Sequence, residues 1–440
     1  MSFFAAALVA LVAAEVLMAA GFGFPNAGIR APDTLVLVHL VAIGWLSLLM
    51  CGALFQFVPV LVARPLYSNS LPLPALLCLV SGLLALILGF LQLAGRIEPA
   101  MPFLAAAGAL LAAGFALVLW TLVRTLWPLG SLPLPARFVV VGLLSLAATV
   151  GYGVVFALVL GGSVADETFV AFAASGLPIH AIAGLGGWLT FTAIGVSYRL
   201  LAMFMLAPEL NGRRTRAALY LGAGALAVAV LGGGVAIRLG VGLHQVLCLA
   251  GLLGLAATAL YGADIVQLYR ARKRRNIELN SRMAGFALAS LAASAVLMVA
   301  LLALGRLPDH AGAVVFLVAF GWLSGLGLAK LYKIVPFLTW LECYGPVLGK
   351  TATPRVQDLV IEKRAVKWFW FYFLAVWSGT VTLLLHQALA FQVAAAGMLV
   401  ATVGIVVQLV RTRRLLDVKA ELRLPQGTHR PRLLLSFVRT

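Results

Sequence analysis

Five of the six histidines in this 440-residue chain sit within apolar segments or at their ends: His39, His180, His244, His310 and His386. Neutral imidazole is the commonest protein ligand for metal ions and for haem iron. A ring of imidazoles at one depth could hold haem or copper. The alternative is that imidazole at a helix end stays hydrated and needs no ligand, and His310 follows Asp309, a good N-cap. His39 fits that alternative least. It lies inside the apolar run HLVAIGWLSLLMCGALFQFVP, where an unpartnered polar group costs about 1–3 kcal/mol. Glu15 is a carboxylate deep in another apolar run. It could carry protons, pair with a metal-bound group, or only accept a hydrogen bond from a neighbouring helix. The four cysteines show no CxxC spacing and read as small buried hydrophobes. There is no P-loop and no HExxH, and Gly151-Tyr152-Gly153 lacks the strand–helix context of a dinucleotide site.

The elements that must position these residues follow from composition. The chain is 63% hydrophobic and 10% charged, with a mean hydropathy of +1.07. Soluble domains carry about 25% charged residues, so this is a polytopic membrane protein. The N-terminus has no basic n-region and is expected to be a retained first helix, not a cleaved signal. Runs long enough to cross a bilayer are expected at 3–22, 34–62, 72–95, 101–124, 137–160, 179–205, 216–238, 243–269, 283–304, 311–338, 366–387 and 391–410. With twelve spans and both termini cytoplasmic, all of the 32 Lys and Arg fall on the inner side except Arg30, Arg96, Arg238 and Arg306. That asymmetry accounts for the net charge of +18 without nucleic acid. It suits a bacterial-type inner membrane. The basic stretch RTRRLLDVKAELRLP is either a helix lying on anionic lipid or a solvated tail.

A repeat runs through the spans. Gly44-Trp45-Leu46-Ser47 returns as Gly187-Trp188-Leu189-Thr190 and as Gly321-Trp322-Leu323-Ser324. Eleven residues after each Trp stands a polar residue: Gln56, Arg199 and Lys333. The motif falls on the second, sixth and tenth spans, second in each set of four. The chain therefore reads as three four-helix units, 1–130, 131–278 and 279–412, followed by a basic cytoplasmic tail over 413–440. Repeats of this kind place sites at their interfaces. Arg199 and Lys333 either snorkel to headgroups or mark a proton or anion path with Gln56. Depth from the shared Trp ranks the histidines. At about 1.5 Å per residue, His180 sits ~3 Å and His310 ~9 Å above His39, which makes His39 with His180 the natural pair.

Twelve helices in three sets of four, with histidines high on the second and sixth, resemble subunit I of the haem-copper oxidases and nitric oxide reductases. The likeness in architecture spans nearly the whole chain. In that family a helix-2 and a helix-10 histidine clamp the low-spin haem, and a second helix-10 histidine holds the active-site haem. Copper or non-haem iron takes one histidine on helix 6 and a pair on helix 7. The resemblance makes His39 the haem ligand and His180 the counterpart of the helix-6 metal ligand. The seventh span has no histidine and the tenth has none inside it, so the chain reads as a divergent member that has lost the usual dioxygen chemistry.

The expectation is therefore an all-α membrane protein of twelve transmembrane helices in three pseudo-equivalent four-helix units. It would bind haem or copper near its outer face through His39 and His180, with His244, His310 and His386 as further metal candidates. It would serve respiratory electron transfer or nitric oxide chemistry, with a cytochrome c or other redox subunit on the outer side. The alternative is a non-enzymatic carrier or sensor of a small molecule, haem or copper on the same scaffold.

Overall fold

The computed structural model describes residues 1–98 and 101–432. Among them the regular structure is helical, with no strand. Eleven helices are long and apolar enough to cross a membrane. They are α1 (Ser2–Ala19), α2 (Pro32–Val62), α3 (Pro72–Leu93), α4 (Phe103–Leu126), α5 (Leu134–Leu160), α6 (Leu177–Met205), α7 (Arg213–Leu239), α8 (Leu243–Arg270), α9 (Leu279–Ala303), α10 (Leu307–Val347) and α12 (Ala388–Arg413). Between the last two lies α11 (Glu362–Leu384). It has the length of a span, but its charged first turn and its Trp, Tyr, Ser and Thr content lower its hydropathy. The chain is a multi-pass all-α membrane protein.

Contacts resolve the chain into two compact units. One is Arg30–Asn276, and the other is Met1–Ile29 with Ile277–Thr440. In the first, α3 packs on α4, α4 on α5, α5 on α6, and α7 on α8. In the second, α1 lies along α12, α11 lies along α12, and α9 packs on α10. Small residues permit these approaches. A Cβ on Gly187 of α6 would meet Ser145 Cβ and Oγ of α5, and one on Gly321 of α10 would meet Ser290 Cβ of α9 at 2.9 Å.

The repeat has a structural meaning that its sequence did not announce. Each Gly-Trp-Leu copy lies in a π-helical stretch: Leu40–Ser47, Ile182–Phe191 and Leu317–Ser324. π-helical turns are rare and gather at functional sites. In two copies the hydroxyl two residues after the Trp stabilises the widened turn. Ser47 Oγ donates to Ala42 O and Ser324 Oγ to Ala319 O, both at 2.7 Å. The three tryptophans are buried. Trp188 Nε1 donates to Ser47 Oγ at 2.9 Å, so the first π turn is pinned by the second motif's ring.

Two expectations change in detail. The tenth helix was read as ending at 338, but it continues through Pro336 to Val347. Its last turns bury Cys343 and Tyr344 in a cluster with Leu359, Leu415 and Val418. The basic stretch after Arg411 is neither a lipid-lying helix nor a free solvated tail. Beyond Arg413 the chain makes a single 3₁₀ turn, Ala420–Leu422, among the described residues. Arg413 is itself buried, donating to Thr339 Oγ1 at 3.1 Å and to Glu342 Oε2 at 2.9 Å. Asp417 pairs with Arg364 at 2.7 Å and Arg411 at 2.6 Å. Tyr344 Oη donates to Arg423 O at 2.7 Å. Basic side chains here are spent on docking the segment; residues 433–440 of the expected tail lie outside the described residues.

Candidate functional site

Each unit brings two of the histidines together, and His244 stands with a cysteine. In the first unit His39 on α2 faces His180 on α6, with ring centroids 6.5 Å apart. His39 Nδ1 lies 2.8 Å from Leu35 O. A carbonyl only accepts, so Nδ1 carries the proton and Nε2 is left with the lone pair that a metal would use. Histidine ligands are commonly oriented through their other nitrogen in this way. His180 enters at the start of α6, where Pro178 occupies the first turn. Its Nδ1 is buried without a hydrogen bond of good geometry, and the Thr149 backbone lies beside the ring. Aromatic rings flank the pair: Phe90 at 5.1 Å from His39 and Phe156 at 5.3 Å from His180. Gly153 of α5 lies so close that a Cβ there would stand 3.3 Å from His180 Cε1.

In the other unit His310, near the start of α10, stacks on His386 just past α11, with centroids at 4.8 Å. His386 reaches it from a left-handed backbone conformation, φ 54, uncommon for a residue with a side chain. His310 Nδ1 is buried and unpartnered. His244 is exposed and has company of another kind: its Nε2 lies 3.4 Å from Cys248 Sγ, one helical turn on. That i, i+4 pair of ligand types on one helix was missed because the cysteines were judged only by their spacing from one another. Among the described residues, no group of three or more His, Cys, Asp or Glu side chains is placed to hold a metal ion.

The remaining candidates have partners of their own. Glu15 is fully buried and its Oε1 accepts from Thr402 Oγ1 of α12 at 2.9 Å, while Oε2 has no partner. Arg199 pairs with Glu209, and Lys333 with Glu278 at 2.8 Å. Gln56 is exposed. The two basic members of the repeat's inner position therefore end on carboxylates, not in open headgroup space. Lys333 lines a small cavity of about 200 Å³ with Glu278, Asn280, Tyr332 and Glu362.

Two buried charges were not singled out from the sequence. Lys330 lies one turn before Lys333 and is buried. Asp264 on α8, like Glu15, is a buried carboxylate. It accepts from Tyr198 Oη at 2.9 Å and Thr215 Oγ1 at 2.8 Å, and pairs with Arg214. Next to it Ser197 and Tyr261 share a 2.6 Å hydrogen bond. The spacing Tyr261…Asp264, one helical turn apart, and Tyr198 beside the flagged Arg199 were the available signals.

The chain matches no protein-family model and no curated protein.

Proposed function

We propose that this is a haem-copper-oxidase-like membrane protein that holds one metal centre, a copper ion or a haem iron, between His39 and His180. The observation that supports this is the His39–His180 pair itself: one imidazole with its proton committed to Leu35 O, the other opposite it with a buried Nδ1, and ring centroids 6.5 Å apart. A centroid separation of this order would let both imidazoles reach one shared ion. The pair fits a bare ion directly. A haem iron shares that ligation, with Phe90 and Phe156 as the rings that would border the macrocycle. Such a centre would supply one-electron chemistry near the outer ends of the helices, where a cytochrome c or other redox subunit could dock. His39 would fix the centre's position through Leu35, and Gly153 would leave room for the His180 ring.

In this reading α11 is the twelfth span, the three π-helical Gly-Trp-Leu helices mark three four-helix units, both termini are cytoplasmic and the membrane is a bacterial-type inner membrane. The orientation is expected to show in labelling. A cysteine introduced as Asn276→Cys should resist a membrane-impermeant maleimide applied from outside and react once the membrane is opened; efficient outside labelling would remove the twelve-span topology.

A second reading, a carrier or sensor without turnover, is favoured by the ligand count. Neither α7 nor the interior of α10 offers histidine, and no third potential ligand joins either pair among the described residues. The two readings separate in the metal content and reactivity of purified protein. On the redox reading, His39→Ala and His180→Ala each lose most of the bound iron or copper while expression holds, and the wild type changes its visible spectrum on reduction. Metal retained in both variants would take these histidines out of the site.

A further inference from the structure

A cavity opens away from the histidines. It measures about 470 Å³ and is lined by Pro133, Leu134, Arg137, Asn211, Arg216 and Tyr220. All six lie within the Arg30–Asn276 unit. We propose that this cavity binds a phosphate group, that of an anionic phospholipid headgroup or of free phosphate, between Arg137 and Arg216.

Charge bookkeeping around the cavity leads there. No Asp or Glu lines it. Two carboxylates of the same unit have arginine partners of their own, Asp264 with Arg214 and Glu209 with Arg199. Arg137 spends only its Nε, on Leu132 O at 3.1 Å. Among the described residues neither Arg137 nor Arg216 makes an ion pair with a carboxylate. Two guanidinium groups thus share a cavity with no anion supplied by the protein.

The backbone adds to the imbalance. The cavity lies where α5 and α7 begin, since Leu134 and Arg137 belong to the first turn of one and Arg216 to the first turn of the other. Neither helix has a side-chain cap on its N-terminal N–H groups, and neither has an acidic residue in its first turn. A helix start favours negative charge and disfavours positive. Yet α7 opens with Arg213-Arg214-Thr215-Arg216, the wrong sign for its own dipole. A bound phosphate would resolve both conflicts, accepting from the arginines and from the uncapped N–H groups that open α7. Tyr220, one turn into α7 and exposed, and Leu134 give the cavity an apolar wall. Two membrane-spanning helices begin here, and basic pockets between transmembrane helices are a known setting for anionic lipid. The inference is independent of the metal centre.

The test uses the full chain, delipidated in mild detergent. Phosphatidylglycerol binding is followed by native mass spectrometry, and inorganic phosphate by thermal stabilisation against chloride at equal ionic strength. Three variants are compared with wild type: Arg137→Gln/Arg216→Gln, the charge-retaining Arg137→Lys/Arg216→Lys, and Lys273→Gln/Arg275→Gln, which removes the same charge away from the cavity lining and from both helix starts. All the altered positions are exposed, and gel filtration checks each variant. The expected result is one tightly held phosphatidylglycerol, ~30-fold weaker in the cavity Gln variant, largely retained in the Lys variant and unchanged in the remote control. Stabilisation by inorganic phosphate with the same variant pattern, and no retained lipid, would assign the site to free phosphate. Equal loss in the cavity and remote variants, or no loss in either, would overturn the proposal.

Discussion

Asp264→Ala is expected to destabilise the protein by about 3 kcal/mol, among the largest effects of any single substitution outside the histidines. Asp264 is the one acceptor shared by Tyr198 of α6, Thr215 of α7 and Arg214 of α7. Both hydroxyl-bearing residues are buried. Removing the carboxylate leaves each hydroxyl without this acceptor, at about 1–3 kcal/mol apiece. Arg214 is partly exposed, its side chain 39% accessible, so water replaces much of its lost partner and it adds little. Asp264→Asn keeps an acceptor in place and should cost less than half as much. Unfolding of the purified protein by denaturant titration measures both. A loss below about 0.5 kcal/mol for the alanine variant would mean the three helices do not depend on this junction.

Gly187→Ala is expected to cost about 2 kcal/mol through overpacking and to disturb the histidine pair as well. The new Cβ would fall on Ser145 Cβ and Oγ. These are atoms at the root of a side chain, so α5 itself must retreat. The same helix carries Gly153 against the His180 ring and Thr149 against Gly184, so its retreat moves the site. The diagnosis is a double-mutant cycle. Adding Ser145→Gly removes the clashing atoms and should return most of the lost stability and bound metal. Failure of the second substitution to compensate would place the defect in the π-helical backbone of Ile182–Phe191 rather than in the α5–α6 contact.

The spans were legible because apolar length and basic punctuation report bilayer crossing directly. The helix Arg213–Leu239, for instance, is within three residues of the start expected from its apolar run, 216–238. The His39–His180 pairing was legible from depth along the repeat. The π-helical turns were not. Gly-Trp-Leu-Ser in LVAIGWLS contains nothing that ordinary helical spacing excludes, and the extra residue per turn is paid for by a tertiary bond from Trp188 that no single segment encodes. The pairing of His310 with His386 was invisible for a similar reason. It requires a left-handed backbone at His386, a conformation without a residue-type signature there. Asp264 was passed over because a carboxylate two turns from a helix end reads as headgroup-facing, whereas three neighbours from two other helices close over it.

The most direct measurement is the metal content and visible spectrum of the full chain purified from its membrane in mild detergent. The account predicts about one equivalent of copper per chain, or a Soret band with matching iron, bound through His39 and His180 and lost together when either is replaced. Wild-type protein that carries neither copper nor haem, after expression with both supplied, would contradict it and leave the histidine pair as a packing contact between α2 and α6.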